Sequence, residues 1–285
     1  MIFWGMSFIW SKMVFETYDQ ITTIYFRLII SVIALFSFMK VANIPIKIDK
    51  KDFKYFIVSA IFNPFLYFIG ENYGLKEVPA FLTSVIISTI PVITPFIVFL
   101  FYKENITLLN MVGLGISFIG VLIIIFSDGM ALGGSLFGFS MLGMAVLAAI
   151  FYTVYVKRLS FKYQAVTIIA WQNLIGIILF SPLFFYFSFE KASQTIPSKE
   201  TLLALVMLGL FASSAAFIFY TYGIQKLGII KTNFYTNLIP VFSFIFAYLF
   251  LGEPVTWLKF TGLVIVITGI VFSEINKGKR ITTLQ

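Results

Sequence analysis

Ten blocks of apolar residues, each bounded by charge, Gly or Pro, divide this 285-residue chain. They fall at about 1–18, 21–39, 53–75, 80–101, 108–127, 136–156, 165–187, 201–224, 229–251 and 256–275. A hydrocarbon core about 30 Å thick takes about 20 helical residues to cross, at a rise of about 1.5 Å each. The blocks have that length, and none alternates in polarity as the roughly 10-residue strand of a membrane barrel does. Composition agrees: 60% of residues are hydrophobic, 11% are charged and the mean hydropathy is +1.00. A water-exposed domain carries about 25% charged residues, so this supply cannot furnish a soluble surface. The fold class expected is an all-α integral membrane protein with ten transmembrane helices.

Two absences narrow the chemistry. Zero Cys and zero His exclude disulfides, thiolate or imidazole metal sites and every His-dependent triad, and no cofactor motif is present. "DGMALGGSLFG" (128–138) is Gly-rich but lacks the Lys-Ser/Thr ending of a phosphate-binding loop. The opening "MIFWGMSFIWSKM" has no basic leader before its apolar run and reads as a retained first helix. The net charge of +8 is explained by loop lysines facing the cytoplasm, not by nucleic acid. With the N-terminus inside, fourteen Lys and Arg lie in or beside cytoplasmic loops and five on the other side. Both termini, including a 276–285 tail, are therefore expected in the cytoplasm of a cell with this protein in its plasma membrane.

The chain also repeats itself. At an offset of 149 residues, 82–122 match 231–271 at 13 of 41 positions, among them Pro91 with Pro240, Glu104 with Glu253, Gly113 with Gly262 and Gly120 with Gly269. Shared apolar composition does not put Pro, Glu and two Gly in register. Each half, 1–127 and 136–275, then holds five spans. Five is odd, so the second copy enters the membrane from the opposite face. Two inverted five-helix repeats around a central cavity is the pattern of a secondary transporter.

At this point the chain resembles a known family. "FWGMSFIWSK" (3–12), "ENYGLKEVPAFLTSVIISTIPVITPFIVFLFYKENIT" (71–107), "AWQNLIG" (170–176) and "YTYGIQKLGIIKTNFYTNLIPVFSFIFAYLFLGEPVT" (220–256) are similar to the drug/metabolite transporter superfamily, in its ten-helix form with two EamA-type domains. "GEPVT", closing the ninth span, is the most specific phrase; the first copy departs from it with Lys-Glu-Asn at 103–105. The resemblance implies export of amino acids, drugs or other small metabolites, through a cavity lined by helices 1, 3, 4, 6, 8 and 9.

Candidate site residues follow from what is costly in a membrane. Pro91, Pro95 and Pro240 are expected inside helices 4 and 9, freeing backbone carbonyls that are tolerated only against protein or a watery cavity. Ser84, Ser88, Pro91 and Pro95 fall on one helix face, and Asn233, Asn237 and Pro240 repeat that face in the second half. These stripes are expected to look at the cavity; bonding to a neighbouring helix is the structural alternative. Arg27 and Glu71 are intramembrane ionisable groups at similar depth, expected to pair in the outer half as a coupling or gating element, or as a purely structural pair. Asn63, Tyr67, Trp4, Tyr152 and Tyr220 complete the candidates for touching substrate. Gly113, Ser117, Gly120, Gly262 and Gly269 form small-residue stripes for close helix packing, with a homodimer contact as a second use. Glu104, Glu253, Thr107 and Thr256 suit the starts of the helices that follow them.

The sequence thus points to a carrier in the lipid bilayer that moves a small-molecule substrate by alternating access, probing no nucleic acid and performing no catalysis. Proton coupling through Glu71 is compatible with it, as is facilitated diffusion or exchange. A sugar-phosphate or nucleotide-sugar antiporter of the same superfamily would need basic residues in the cavity, an intramembrane enzyme would need more than one Glu and one Arg, and a non-transporting scaffold would bind no solute.

Overall fold

The computed structural model describes residues 1–102, 108–125, 134–236, 238–252 and 256–274, and among them it is helical with no strand. In chain order the helices are α1 (Ile2–Phe15), α2 (Gln20–Val41), α3 (Lys50–Glu77), α4a (Ala80–Ile87) and α4b (Ile90–Tyr102), and α5 (Leu108–Ile125). They continue as α6 (Leu136–Ser160), α7 (Ala165–Gln194), α8 (Lys199–Leu227), α9a (Ile229–Thr236) and α9b (Ile239–Leu251), and α10 (Trp257–Glu274). Helices α2, α3, α6, α7 and α8 are each long and apolar enough to cross a membrane. Short polar residues start several of them. Asp19 accepts from Thr22 N–H at 2.9 Å, Ser135 from Gly138 N–H at 3.0 Å and Ser198 from Thr201 N–H at 3.1 Å. Thr256 accepts from Lys259 N–H at 3.2 Å, the cap expected for α10. Glu104, Glu253 and Thr107 lie outside the described residues, as does the 276–285 tail.

The repeat carries through to the secondary structure. Adding 149 to the bounds of α4a, α4b and α5 gives 229–236, 239–251 and 257–274, which are the bounds of α9a, α9b and α10. Pro91 and Pro240 therefore do not sit inside continuous helices as expected. Each is the second residue of a new segment, where the missing N–H costs nothing because first-turn donors have no intrahelical acceptor. A third interruption was not anticipated: Asn63, inside α3, has an extended backbone at φ −148°, ψ 118°. Pro64 follows it, and proline disfavours the helical region for the residue before it. In α8, Leu208–Ala215 winds in the wider π pattern.

Packing respects the exchange of halves. Helix α3 lies against α6, where Gly70 meets Met141 and Ala145; its counterpart pair is α8 against α1. Helix α1 crosses α9b at Gly5, against Phe242 and Ser243, and α6 likewise packs on α4a and α4b. Helices matched by the repeat also pack on each other. Gly120 of α5 meets Gly262 and Val266 of α10, while Gly269 meets Gly113 and Ser117, so these two run antiparallel. The small-residue stripes are thus spent on contact within one chain, where the absence of side chains brings backbones together. Helices α2 and α7 are antiparallel too: Tyr25 reaches Ser181 near one end, Ser31 meets Asn173 and Phe36 meets Trp171 further along.

Candidate functional site

The breaks converge on one cavity. Its wall comes from α1 (Trp4, Phe8), α3 (Asn63, Tyr67, Glu71), α4 (Ile87, Ser88, Ile90), α6 (Ala149, Tyr152), α8 (Phe217, Tyr220) and α9 (Asn233, Thr236, Ile239), around about 570 Å³ of atom-free space that includes its open mouth. Those are the six helices the resemblance implies. The ends of α4a, α4b, α9a and α9b all meet there, so helix termini of both polarities face the space. Ile90 and Ile239, equivalent under the repeat, both line it, as do Ile87 and Thr236.

Of the expected site residues, Trp4, Asn63, Tyr67, Glu71, Ser88, Tyr152, Tyr220 and Asn233 stand on this wall. Ser84, Pro91 and Pro240 do not, although all three are buried. The turn at Ser88-Thr89 resets the helical phase, so the spacing that put Ser84, Ser88 and Pro91 on one face does not run through. Ser84 instead donates to the Phe81 carbonyl at 2.6 Å, and Ser88 donates to the Ser84 carbonyl at 2.7 Å. Asn237 and the Pro95 side chain lie outside the described residues.

Most polar hydrogens on the wall are already committed. Tyr67 Oη donates to Glu71 Oε1 at 2.9 Å, Tyr152 Oη to Gln172 Oε1 at 3.2 Å and Tyr220 Oη to Asn233 Oδ1 at 2.8 Å. Trp4 Nε1 donates to the Ala212 carbonyl at 3.3 Å, a group in the π-wound stretch of α8. Thr236 donates to the Asn233 carbonyl at 2.6 Å. Asn233 Nδ2, in contrast, is buried with no hydrogen-bond partner among the described residues.

Arg27 and Glu71 are together, but in unequal positions. Glu71 is on the wall; Arg27 is behind it, its side chain only 2% exposed, with Nη1 at 3.9 Å from Glu71 Oε2. That distance is Coulombic contact without a hydrogen bond, and Arg27 Nη1 has no hydrogen-bond partner among the described residues. The guanidinium is held elsewhere. Nε donates to Ser213 Oγ at 2.8 Å and the group lies 4.2 Å from the centre of the Phe68 ring. Around it Asn173 Nδ2 donates to Ser31 Oγ (2.7 Å) and to the Ser213 carbonyl (3.0 Å), and Ser31 and Ser214 share a 2.7 Å bond. Gln172, Asn173, Ser213 and Ser214 were not among the expected site residues. The one available signal was four hydrogen-bonding side chains within otherwise apolar spans.

At one end of the bundle a second polar group joins the two halves. Lys162, between α6 and α7, donates to Asp49 and, at 2.5 Å, to Asp52, whose carboxylate also accepts from Tyr163 Oη at 2.6 Å. The hydrogen bonds from Lys162 hold both aspartates below their ordinary range, and the aspartates push Lys162 up. Thr167 and Trp171 donate to the carbonyls of Pro45 and Ile46 beside them.

Comparison with known proteins completes the picture. Residues 1–126 and again 136–274 match the EamA-like transporter family. The chain is 27% identical to the "Uncharacterized transporter YdfC" of Bacillus subtilis, covering 98% of this chain and 90% of that protein. It is 25% identical to an "Uncharacterized transporter" of Archaeoglobus fulgidus, over 94% of this chain and 93% of the other. A crystal structure of another protein superposes on 96% of this chain and 97% of its own with a TM-score of 0.71 at 13% identity, a likeness of fold alone.

Proposed function

The chain belongs to the EamA-like transporter family, and from that premise we propose that it is a secondary carrier exporting a small organic solute from the cell by alternating access. In this reading ten helices cross the plasma membrane as two inverted five-helix halves, with both termini in the cytoplasm. The observation that carries it is the shared cavity: both halves contribute to its wall, and the helices that end there break at positions related by the repeat. The antiparallel contacts of α5 with α10 and α2 with α7 support the inversion. Rocking one half against the other would expose the same wall to either face in turn. Glu71, the carboxylate on the wall, is the candidate for coupling transport to a proton. A phosphate-carrying antiporter is disfavoured, because no Lys or Arg is among the described wall residues and Arg27 stands behind Glu71.

A thermal-stability screen of the purified full chain in detergent, across amino acids, amines, nucleosides and sugar phosphates, tests the reading. A bound solute raises the melting temperature by mass action. Hits are then assayed for counterflow in proteoliposomes. A solute that stabilises the protein and exchanges across the bilayer is the result expected; binding without exchange for every hit would remove the carrier reading. Proton movement that accompanies solute uptake in the wild type and is absent from Glu71→Gln at saturating solute is the expected mark of proton coupling, and proton movement that persists in the variant would exclude Glu71 from it.

A further inference from the structure

The chemistry of the wall selects among solutes. Resting on the carrier reading above, we infer that the cavity takes a small organic cation: a protonated amine whose N–H donates to Glu71 Oε2 and whose apolar body lies among aromatic rings. Three observations carry this. First, the charge that borders the space is negative. Glu71 is on the wall, Oε1 takes the Tyr67 hydroxyl, and Oε2 accepts no hydrogen bond among the described residues, since Arg27 Nη1 stops 3.9 Å away. Arg27 compensates part of that charge from behind. Its own contacts are with Ser213 and Phe68, and its 2% exposure keeps it from meeting a solute.

Second, six rings surround the space: Trp4, Phe8, Tyr67, Tyr152, Phe217 and Tyr220. Trp4 lies 5.0 Å from Phe217 and 5.4 Å from Tyr220 between ring centres, and Tyr152 lies 6.3 Å from Phe217, so four of them form one continuous cluster. The faces of aromatic rings are negative and attract cations. Third, the wall is poor in free donors. The hydroxyls of Tyr67, Tyr152, Tyr220, Ser88 and Thr236 and the Trp4 indole already donate to protein acceptors. A carboxylate or phosphate would find neutral amides, chiefly Asn233 Nδ2, and the starts of α4b and α9b, each lacking one first-turn N–H at Pro91 or Pro240, while facing Glu71. Burying an anion with so few donors is costly, whereas an ammonium meets a carboxylate oxygen that lacks one. Asn233 Nδ2, without a partner among the described residues, addresses a neutral acceptor elsewhere on the same solute.

The test compares three probes of nearly one shape on the full chain: 2-phenylethylamine (cation), 3-phenylpropanamide (neutral) and 3-phenylpropionate (anion). Dissociation constants come from calorimetry in detergent, and exchange is followed by counterflow in proteoliposomes. The amine is expected to bind at least about ten-fold more tightly than either partner, as a charge pair and ring faces together would give. Glu71→Gln should abolish that preference. Because this variant strands Arg27, the double variant Arg27→Met/Glu71→Gln serves as the second arm; it keeps the cavity, loses both charges and should bind the three probes alike. Tighter binding of the anion, no binding of the amine, or an amine preference that survives in the double variant would overturn the inference. Counterflow of the anion in preference to the amine overturns the solute class while leaving the carrier reading standing. Binding of the amine without any exchange does the reverse.

Discussion

Arg27→Met keeps the reach of the side chain and deletes its charge, and the consequences can be worked from the geometry. Arg27 Nη1 and Glu71 Oε2 are 3.9 Å apart, with both side chains nearly out of reach of solvent. At an effective dielectric of about 20, two unit charges at that distance attract by about 4 kcal/mol. Removing the guanidinium leaves Glu71 buried with the Tyr67 hydroxyl as its one side-chain donor among the described residues and Ser213 without the Arg27 donor, a loss of about 4 kcal/mol, in the range for breaking a buried pair. Glu71→Gln is milder, about 2 kcal/mol, because Arg27 keeps Ser213 and the Phe68 ring. The double variant buries no charge at this site and should also cost about 2 kcal/mol, so the cycle closes with a coupling of about 4 kcal/mol. Reversible unfolding in mixed detergent micelles measures all four corners. Additivity of the two single losses to within about 0.5 kcal/mol would show that the two groups do not interact, and would refute the pair.

Further expectations follow from other contacts. A Cβ on Gly70 would stand 2.5 Å from the Met141 carbonyl and 2.8 Å from the Ala145 amide, both backbone, so Gly70→Ala should destabilise by about 1–3 kcal/mol. Gly143→Ala on the open face of the same helix α6 meets nothing within 4 Å and should leave melting unchanged or slightly raised, which a melting curve in detergent decides. Tyr220→Phe removes the donor to Asn233 Oδ1 and the 3.3 Å contact with Thr153, lowering stability by about 1 kcal/mol; an undiminished stability of the variant would mean that this network is not formed. The Lys162 cluster has a defined pH window. The depressed aspartates contribute stability above the ordinary aspartate pKa of about 4, lost as pH falls through their folded values, and the raised Lys162 contributes below the ordinary lysine pKa of about 10.4, lost above it. Lys162→Met should therefore quicken proteolysis of the 42–49 loop relative to wild type at pH 7, and the difference should shrink as pH falls below about 4; equal rates at pH 7 would dismiss the clamp.

What the sequence made legible was whatever recurs or is costly in lipid. Pro91 and Pro240 recur, so the halves could be aligned, and the bounds of three successive helical segments later coincided at the same offset. Arg27 and Glu71 are expensive in hydrocarbon, and depth counting from the helix ends placed them side by side. The side-chain directions were harder. In spans apolar on every face, periodicity cannot say which side meets lipid, so Ser84 was aimed at the cavity when its hydroxyl serves its own helix. Local backbone breaks defeat the spacing argument at Ser88-Thr89, and at Asn63-Pro64 the proline is a readable break signal set in a span that is otherwise apolar and of full crossing length. Arg27 could not be seen to turn away from the space, because Ser213, which holds it, is 186 residues distant in sequence.

The central claim, one cavity offered in turn to the two faces of the membrane, has a direct measurement, and a chain with zero Cys is ready for it. Single cysteines replace Asn233 and Ser88 on the wall and Lys47 and Lys162 in the loops, and a membrane-impermeant maleimide is applied to right-side-out and inside-out vesicles. The account predicts that the two wall positions react from both faces, while positions 47 and 162 react from the cytoplasmic face alone. Wall cysteines that react from only one face under every condition, or loop positions labelled on opposite faces, would contradict it.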